Sequence, residues 1–187
     1  IPIVKVPNYA YENTTGLQFV NRTKDWGLNI PSFSNGASFV DLDLDGDLDY
    51  VVNNINDPAF VYRNNTIEKF KENSSYLRIN LQGETPNVAA IGAKVELWAK
   101  GNYQYAEKFL SRGYISSVDP IMHFGLGNIS EIDSLRITWP SSKKVTDLKS
   151  IKVNQVIILK ESDAVAPVVR PRVNKLQKTF TKVEDFI

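Results

Sequence analysis

Short segments in which apolar and polar residues alternate with a period of two constrain this chain more than any other feature. The pattern is clearest in Tyr76–Leu81, Ala93–Ala99 and Ser134–Trp139. Alternate residues of a strand point to opposite faces of its sheet, so each segment predicts a strand with one apolar and one wet face. Val156–Leu159 is apolar throughout, which is typical of a central strand covered on both faces. Because helical periodicity is limited to about one turn at Ile67–Glu72, we expect an all-β fold.

Two breaks in this pattern divide the chain into three parts. The first, Asn64–Ser75, is polar and lacks strand alternation. The second, Ala164–Arg172, contains Pro167 and Pro171, which disfavour helix and central strand. We therefore expect a first unit over residues 1–66, a β-sandwich or barrel over residues 74–163, and a proline-containing linker over residues 164–187 that leads to a further repeat.

The composition excludes several classes of site. The chain has no cysteine and a single histidine, so it cannot form disulfides, thiolate nucleophiles or multi-histidine metal centres. Lys and Arg total 22 against 21 Asp and Glu, far from the basic excess of a nucleic-acid-binding protein. The longest apolar runs are much shorter than the roughly 18 residues of a membrane span, so we expect none in this chain.

The sharpest chemical signal is an aspartate-rich segment, Asp41–Asp49. Its carboxylates stand at alternate positions, and Gly46 follows the third of them; they are Asp41, Asp43, Asp45, Asp47 and Asp49. With no base nearby, these carboxylates repel one another, so a compact arrangement of them requires a cation. The spacing offers side-chain oxygens, a backbone carbonyl at the seventh position and a glycine for the turn, which suits calcium. We therefore predict a calcium site.

Three other interpretations of this segment are weaker. A solvated acidic turn would not require glycine at this register. An EF-hand would need Glu where the chain has Val52, and helices where Ala37–Val40 and Tyr50–Val52 have strand-like sequences. A catalytic acid pair would need environments that separate the pKa values of two carboxylates, and nothing in the sequence distinguishes one aspartate from the next.

The aspartate segment and its flanks resemble a known repeat. Phe39 and Val40 lead into the segment, Tyr50–Asn54 follow it, and Phe60–Asn65 come next, in an order similar to that of an FG-GAP/VCBS repeat. This repeat is the blade unit of integrin-like β-propellers. Since a propeller needs several blades, the resemblance implies neighbouring blades of a longer parent protein as partners. It also implies calcium binding by the side chains of Asp41, Asp43, Asp45 and Asp49 and the backbone oxygen of Asp47.

The second half of the chain resembles another family. Six motifs match, in order, the pattern of the ASPIC/UnbV domain: Ile91–Val95, Arg112–Ser117, His123–Gly127, Ile132–Leu135, Trp139–Ser141 and Val153–Gln155. One departure is Ser142, which replaces a glycine often found after Trp-Pro-Ser. Together the two resemblances imply a calcium-bound blade followed by a β domain, as in exported or cell-surface proteins.

His123 belongs to the residue type that most often acts as a general base near neutral pH. It lies on an expected strand between Met122 and Phe124, and no nucleophile motif such as G-x-S-x-G accompanies it. We therefore expect His123 to pack and to form a hydrogen bond rather than to act in catalysis.

Trp98 is a candidate ligand contact. Alternation places it on the same strand face as Lys94 and Glu96, which points it outward. Tyr103 and Tyr105 share one face of a following segment. Such aromatic side chains could stack on sugar rings, although core or rim packing is the more common role of aromatic residues.

These observations favour a calcium-binding extracellular interaction or adhesion module over an enzyme. Weak calcium-binding loops suit the near-millimolar calcium found outside cells, so we expect export to the extracellular space or the cell envelope. The expected ligand is a protein or a glycan. The alternative function is a glycan-binding accessory module of a polysaccharide-handling surface system, in which Trp98 would contact the sugar.

Overall fold

The computed structural model describes residues 4–166 and shows an all-β protein. Strands account for 48% of the residues and helix for 6%, so the expected fold class is confirmed. Most of the expected linker, and the repeat to which it would lead, lie outside the described residues. The elements are β1 (Tyr11–Thr15), β2 (Gln18–Asn21), β3 (Ser34–Val40), β4 (Asp49–Asn54), β5 (Phe60–Tyr62), α1 (Thr66–Lys69), β6 (Ser75–Gln82), β7 (Lys94–Ala99), β8 (Asn102–Glu107), β9 (Met122–Gly127), β10 (Glu131–Thr138), β11 (Val145–Lys152) and β12 (Gln155–Lys160), with 3-10 turns at Lys71–Asn73 and Glu161–Asp163.

The strands form four sheets. Before α1, the chain forms the hairpin β1-β2 and the antiparallel sheet β3-β4-β5. After α1, it forms an antiparallel sheet in the order β11-β10-β7-β8 and a mixed sheet in the order β12-β6-β9, in which β12 runs parallel to β6. The last two sheets share one hydrophobic core, as in a β-sandwich. In residues 4–166, no helix has the length and apolar character needed to cross a membrane.

The hydrophobic core lies almost entirely in the second half of the chain. Its fully buried side chains come from alternate positions of facing strands and include Leu77, Ile79, Leu81, Val95, Leu97, Leu135, Ile137 and Trp139. Burial of each large side chain contributes about 1.5–3 kcal/mol. Trp139 points inward, as the alternation predicts, and its indole N–H donates to the hydroxyl of Thr146 at 2.9 Å. Within residues 4–66, by contrast, Val52 is the one hydrophobic residue in the buried class.

The prediction that Val156–Leu159 forms a central strand was wrong. This segment lies in β12, which pairs with β6 on one side and forms the edge of its sheet. Val156 is 49% exposed and Ile158 is 58% exposed. An apolar run does not by itself distinguish a strand covered on two faces from an edge strand that leaves one apolar face open.

The expected wet face of β6 is also covered. Leu77 and Ile79 point into the core, and Arg78 lies on the opposite face but is only 5% exposed. The segment Asp41–Asp49 covers this second face. Alternation reports the polarity of side chains along a strand, and it carries no information about which distant segment packs on the polar face.

Ser142, which departs from the family motif, binds a buried carboxylate. The side chain of Glu161 accepts hydrogen bonds from the hydroxyl of Ser142 at 2.7 Å and from its backbone N–H at 3.1 Å. The backbone N–H of Glu84 donates a third, at 3.0 Å. Burial alone would raise the pKa of Glu161, but these hydrogen bonds outweigh it and hold the pKa below its ordinary value.

We expect Glu161→Gln to lower the free energy of unfolding at pH 7 by about 1–3 kcal/mol, because it weakens hydrogen bonds to a buried charge. A carboxylate whose pKa is lowered by folding contributes stability above its unfolded pKa and loses it as pH falls through the folded pKa. Urea unfolding should therefore show that the gap between wild type and variant narrows from pH 7 to about pH 3. The exposed neighbour Ser162 gives a control, Ser162→Ala. An equal gap at both pH values would contradict this role of Glu161.

Candidate metal centre

The segment Asp41–Asp49 forms a tight loop that joins β3 to β4. Gly46 has φ of +102°, a left-handed conformation that glycine adopts without steric penalty. A Cβ at this position would lie 2.0 Å from the Cε1 atom of Tyr76 on β6, so glycine also permits the close approach of the loop to the second sheet. The backbone N–H of Asp47 donates to Oδ1 of Asp45 at 3.0 Å, which stabilises the turn.

Three of the five predicted ligand residues come together in this loop. Carboxylate oxygens of Asp41, Asp43 and Asp45 lie within 4.8 Å of one another, close enough to bind a single cation. Asp41 is 4% exposed, and its Oδ1 has no hydrogen-bond partner in the described part of the chain. Oδ2 of Asp45 is also buried and accepts no hydrogen bond within the described residues. Burial of carboxylate oxygens without partners is unfavourable, and a cation ligated by them would offset that penalty.

Asp49 lies outside this cluster and fastens the two ends of the loop. Its Oδ2 accepts a hydrogen bond from the backbone N–H of Leu42 at 3.0 Å. Its Oδ1 accepts one from the backbone N–H of Asn64 at 2.8 Å. The first bond connects the start of the loop to the start of β4, and the second connects the segment after β5 to the same point. A side-chain ligand role for Asp49 stays a prediction.

Asp47 anchors the first turn of α1 to the loop. Its Oδ2 accepts a hydrogen bond from the backbone N–H of Ile67 at 3.0 Å, and its Oδ1 is buried without a hydrogen bond within residues 4–166. Burial raises the pKa of Asp47, the bond from Ile67 opposes this, and the charges of Asp45 and Asp49 raise it further. The backbone-ligand role expected for Asp47 stays a prediction.

The expectation that no base lies near the aspartates was wrong. Arg63 approaches from beyond β5, with Nε 2.8 Å from Oδ2 of Asp43 and Nη2 4.0 Å from Oδ2 of Asp45. Arg78 approaches from β6, with Nη1 2.6 Å from Oδ2 of Asp41. Both arginines are distant in sequence and reach the loop only through the fold. They reduce the repulsion among the carboxylates but donate no hydrogen bond to Oδ1 of Asp41 or Oδ2 of Asp45.

Arg78 also links the loop to the rest of the β-sandwich. Its Nη2 lies 2.7 Å from Oδ2 of Asp119, and the three side chains are buried, with side-chain exposures of 5% for Arg78, 1% for Asp41 and 9% for Asp119. Two carboxylates share this one guanidinium, so the group is negative overall. Breaking a buried ion pair from one side leaves a charge without compensation, which is more destabilising than loss of an exposed pair.

His123 supports the same contact between the loop and the sandwich. Its Nε2 lies 2.9 Å from the backbone oxygen of Gly46, to which the N–H of the ring donates. The ring stacks on Tyr76, with centroids 6.0 Å apart and planes at 12°. The packing and hydrogen-bonding role expected for His123 is therefore what its described contacts provide.

Ser116 makes a second connection between the two halves of the chain. Its hydroxyl accepts a hydrogen bond from the backbone N–H of Ala37 at 2.9 Å and donates one to the oxygen of Tyr114 at 2.7 Å. Both available functions of the hydroxyl are thus used in holding the 111–118 loop against β3.

Trp98 lies far from the loop in the fold, on the outer face of β7. It points outward, as the alternation predicts, but it is half-buried because Tyr103 covers part of it. Their ring centroids are 5.3 Å apart. Tyr103 is 53% exposed and Tyr105 is 50% exposed on the same face. Their hydroxyls donate to Glu96 at 3.2 Å and to Glu107 at 3.3 Å respectively.

We expect Arg78→Leu to lower the free energy of unfolding by about 3–5 kcal/mol, because it leaves Asp41 and Asp119 buried and unpaired. The matched control is Arg136→Leu, which removes an exposed two-point pair with Asp147 and should cost less than about 1 kcal/mol. Denaturant unfolding measures both. Where Arg78→Leu does not fold, Asp119→Asn gives the smaller perturbation of the same network. Equal effects at Arg78 and Arg136 would contradict a buried network.

One protein-family model and three curated proteins match parts of this chain. Residues 83–166 match the protein-family model described as "ASPIC and UnbV". Cartilage acidic protein 1 of Homo sapiens is 32% identical over 127 residues, which cover 65% of this chain and 18% of that protein. The Mus musculus protein of the same name is also 32% identical over 127 residues, covering 65% of this chain and 19% of that protein. The Xenopus tropicalis protein is 31% identical over 115 residues, covering 59% and 17% respectively, so the chain spans less than a fifth of the length of these curated relatives.

Proposed function

We propose that this chain is a calcium-binding extracellular interaction module, in which an aspartate loop is docked on a β-sandwich. One observation carries the proposal. Oδ1 of Asp41 is buried and has no hydrogen-bond partner among the described residues, in a carboxylate grouped with those of Asp43 and Asp45. Such an atom favours a cation at this position, because a surface turn would leave it open to water.

The donor set favours calcium over other common metals. All candidate ligands are oxygens, whereas zinc prefers nitrogen and sulfur ligands. Magnesium demands a tight octahedron and gives up its water reluctantly, and calcium accepts the larger and less regular cage of a flexible loop. We propose that Asp41, Asp43 and Asp45 bind through their side chains. The resemblance to FG-GAP/VCBS repeats adds the backbone oxygen of Asp47 and the side chain of Asp49.

Arg78 is compatible with a cation at this loop because the two use different oxygens of Asp41. The guanidinium holds Oδ2, and Oδ1 is the unpaired atom. Arg63 differs from Arg78 because it contacts Oδ2 of Asp43 and lies near Oδ2 of Asp45, the oxygen that we propose as a ligand. We therefore propose that calcium binding shifts Arg63 toward Glu68, which it already contacts at 2.6 Å, and leaves Arg78 in place.

An extracellular location fits the calcium chemistry and the relatives. Binding loops of low affinity are filled where calcium is near millimolar, which is the condition outside cells. The relatives are named after cartilage, a tissue that consists largely of extracellular matrix, and this supports the same location. Neighbouring propeller blades in a longer parent protein are proposed partners of residues 1–66, whose described part has little buried core.

We propose that the protein is not an enzyme. The single histidine is bonded to the backbone of Gly46, and the hydroxyl of Ser116 is used in a loop contact. The proposed role of the loop is to hold the sheet β3-β4-β5 rigidly against the sandwich. A surface formed by both would then contact a protein or glycan ligand.

A glycan-binding accessory module is the second candidate function. The observation that favours it is the aromatic face formed by Trp98, Tyr103 and Tyr105 on β7 and β8. Exposed aromatic rings with nearby carboxylates can stack on sugar rings and bind their hydroxyl groups. Trp98→Ala should then abolish retention on a polysaccharide array without lowering the melting temperature, and unchanged retention would exclude this face.

Calcium should stabilise the folded protein. A ligand that binds only the folded state contributes RT ln(1 + [L]/Kd), about 2.7 kcal/mol at 100 times Kd. The melting temperature should therefore be higher in millimolar calcium than in excess chelator, and magnesium should reproduce little of the difference. Asp45→Asn should remove most of the shift, because it weakens a central ligand. Asp163→Asn, an exposed change far from the loop, is the control.

Scanning calorimetry measures these shifts. Superimposed melting curves in calcium and chelator would contradict the proposal. An equal calcium shift in wild type and Asp45→Asn would contradict this loop as the site.

A further inference from the structure

A cleft beside the aspartate loop has no role in the function proposed above. It has a volume of about 590 Å³ and lies between the segment after β2 and the segment from β5 to α1. This volume is within the roughly 300–1,000 Å³ range of small-molecule sites. The cleft is separate from the outer face of β7 that carries Trp98.

Aromatic rings line much of this cleft. Trp26 is 54% exposed and Phe70 is 60% exposed at its walls. Tyr50 and Tyr62 also line the cleft and form a stacked pair, with centroids 6.2 Å apart and planes at 21°. Flat rings of this kind bind the apolar faces of planar or chair-shaped ligands.

One residue that lines the cleft, Tyr62, carries a buried polar atom without a partner in residues 4–166. The hydroxyl of Tyr62 is buried and makes no hydrogen bond within the part of the chain that the structure describes. Burial raises the pKa of Tyr62, so the hydroxyl stays protonated at neutral pH and can both donate and accept. A buried hydroxyl is unfavourable without a partner, and a ligand hydroxyl would supply one after a small movement of the side chains that cover it.

The rim is polar and of mixed charge. Asp25, Asn65, Lys69 and Arg63 line it together with the aromatic residues. A purely apolar occupant would leave the hydroxyl of Tyr62 unpaired and would desolvate these groups. An anionic occupant would face Asp25 as well as Lys69, and the guanidinium of Arg63 is already paired with Asp43 and Glu68. A neutral ligand with an apolar face and many hydroxyl groups fits both the rings and the rim.

We propose that this cleft binds a neutral pyranose oligosaccharide, with one sugar ring stacked on Trp26 and one sugar hydroxyl hydrogen-bonded to Tyr62. Arg63 is shared with the aspartate loop, but neither Trp26 nor Tyr62 is a proposed cation ligand. The walls of the cleft are joined by hydrogen bonds within the protein, including that from Asn64 to the backbone of Leu48 at 3.2 Å. The cleft differs from the Trp98 face both in position and in having an enclosed polar atom.

Nuclear magnetic resonance tests the proposal on the full chain in calcium-containing buffer. The chain has three tryptophans and hence three indole N–H signals, and Trp26→Phe assigns the one of interest. Cellotetraose and chitotetraose are the probes. We expect at least one of them to shift the Trp26 signal in a dose-dependent manner and to leave that of buried Trp139 unchanged.

Substitutions then locate the contact. Trp26→Ala should weaken binding about tenfold or more, and Tyr62→Phe should weaken it about three- to tenfold while keeping the ring. The matched control is Tyr114→Ala, which removes an exposed aromatic ring outside the cleft and should bind as the wild type does. Tyr62→Phe is expected to retain the wild-type melting temperature, so it tests the site even where Trp26→Ala does not fold.

Two results would overturn the proposal. One is the absence of a Trp26 shift with either probe at tens of millimolar, including the case in which only an apolar dye binds the cleft. The other is binding that Trp98→Ala abolishes and Trp26→Ala preserves, which would assign the sugar to the outer face of β7. Neither result bears on calcium, which the melting curves test separately.

Discussion

The buried contact between Arg78 and Asp41 fixes the relation between the two halves of this protein. The sheet β3-β4-β5 has little buried core of its own, so its position depends on the contacts that the aspartate loop makes with the sandwich. Arg78 binds Asp41 and Asp119 together, and His123 binds the backbone of Gly46. A buried pair of this kind contributes little net stability compared with apolar packing, but it tolerates few alternative arrangements. It therefore specifies where the loop sits.

Strand β6 makes this arrangement possible because it serves two interfaces at once. Its alternate residues Leu77 and Ile79 enter the sandwich core, and Tyr76 and Arg78 face the loop. Gly46 leaves room for the ring of Tyr76, and Arg78 occupies only one oxygen of Asp41. The same contact that docks the loop thus leaves the other oxygen of Asp41 for a cation. If the proposed cation binds, its binding is coupled to the docking of the loop through this single carboxylate.

The sequence is informative wherever local pattern controls structure. Alternation identifies three of the sandwich strands, β6, β7 and β10, and the inward direction of Trp139. The spacing of Asp41, Asp43 and Asp45 predicts that their carboxylates lie close together. Local pattern fails where contacts are distant in sequence. The sequence around the loop does not predict its ion pairs with Arg63 and Arg78. The polar residues of β6 predict a solvent-exposed face, although Arg78 on that face is buried. The run at β12 is apolar although one face is open, so its composition misleads. The cleft at Tyr62 is likewise assembled from segments that are far apart in the chain.

Anomalous diffraction from crystals of the full chain grown in calcium would test the central claim most directly. The account predicts one peak within about 2.3–2.6 Å of oxygens from Asp41, Asp43 and Asp45, with Arg78 still bound to the other oxygen of Asp41. A loop without a peak in saturating calcium, with the guanidinium of Arg63 held among the three carboxylates, would contradict it. In that case the arginines alone would neutralise the aspartates, and the loop would be a structural ion-pair network.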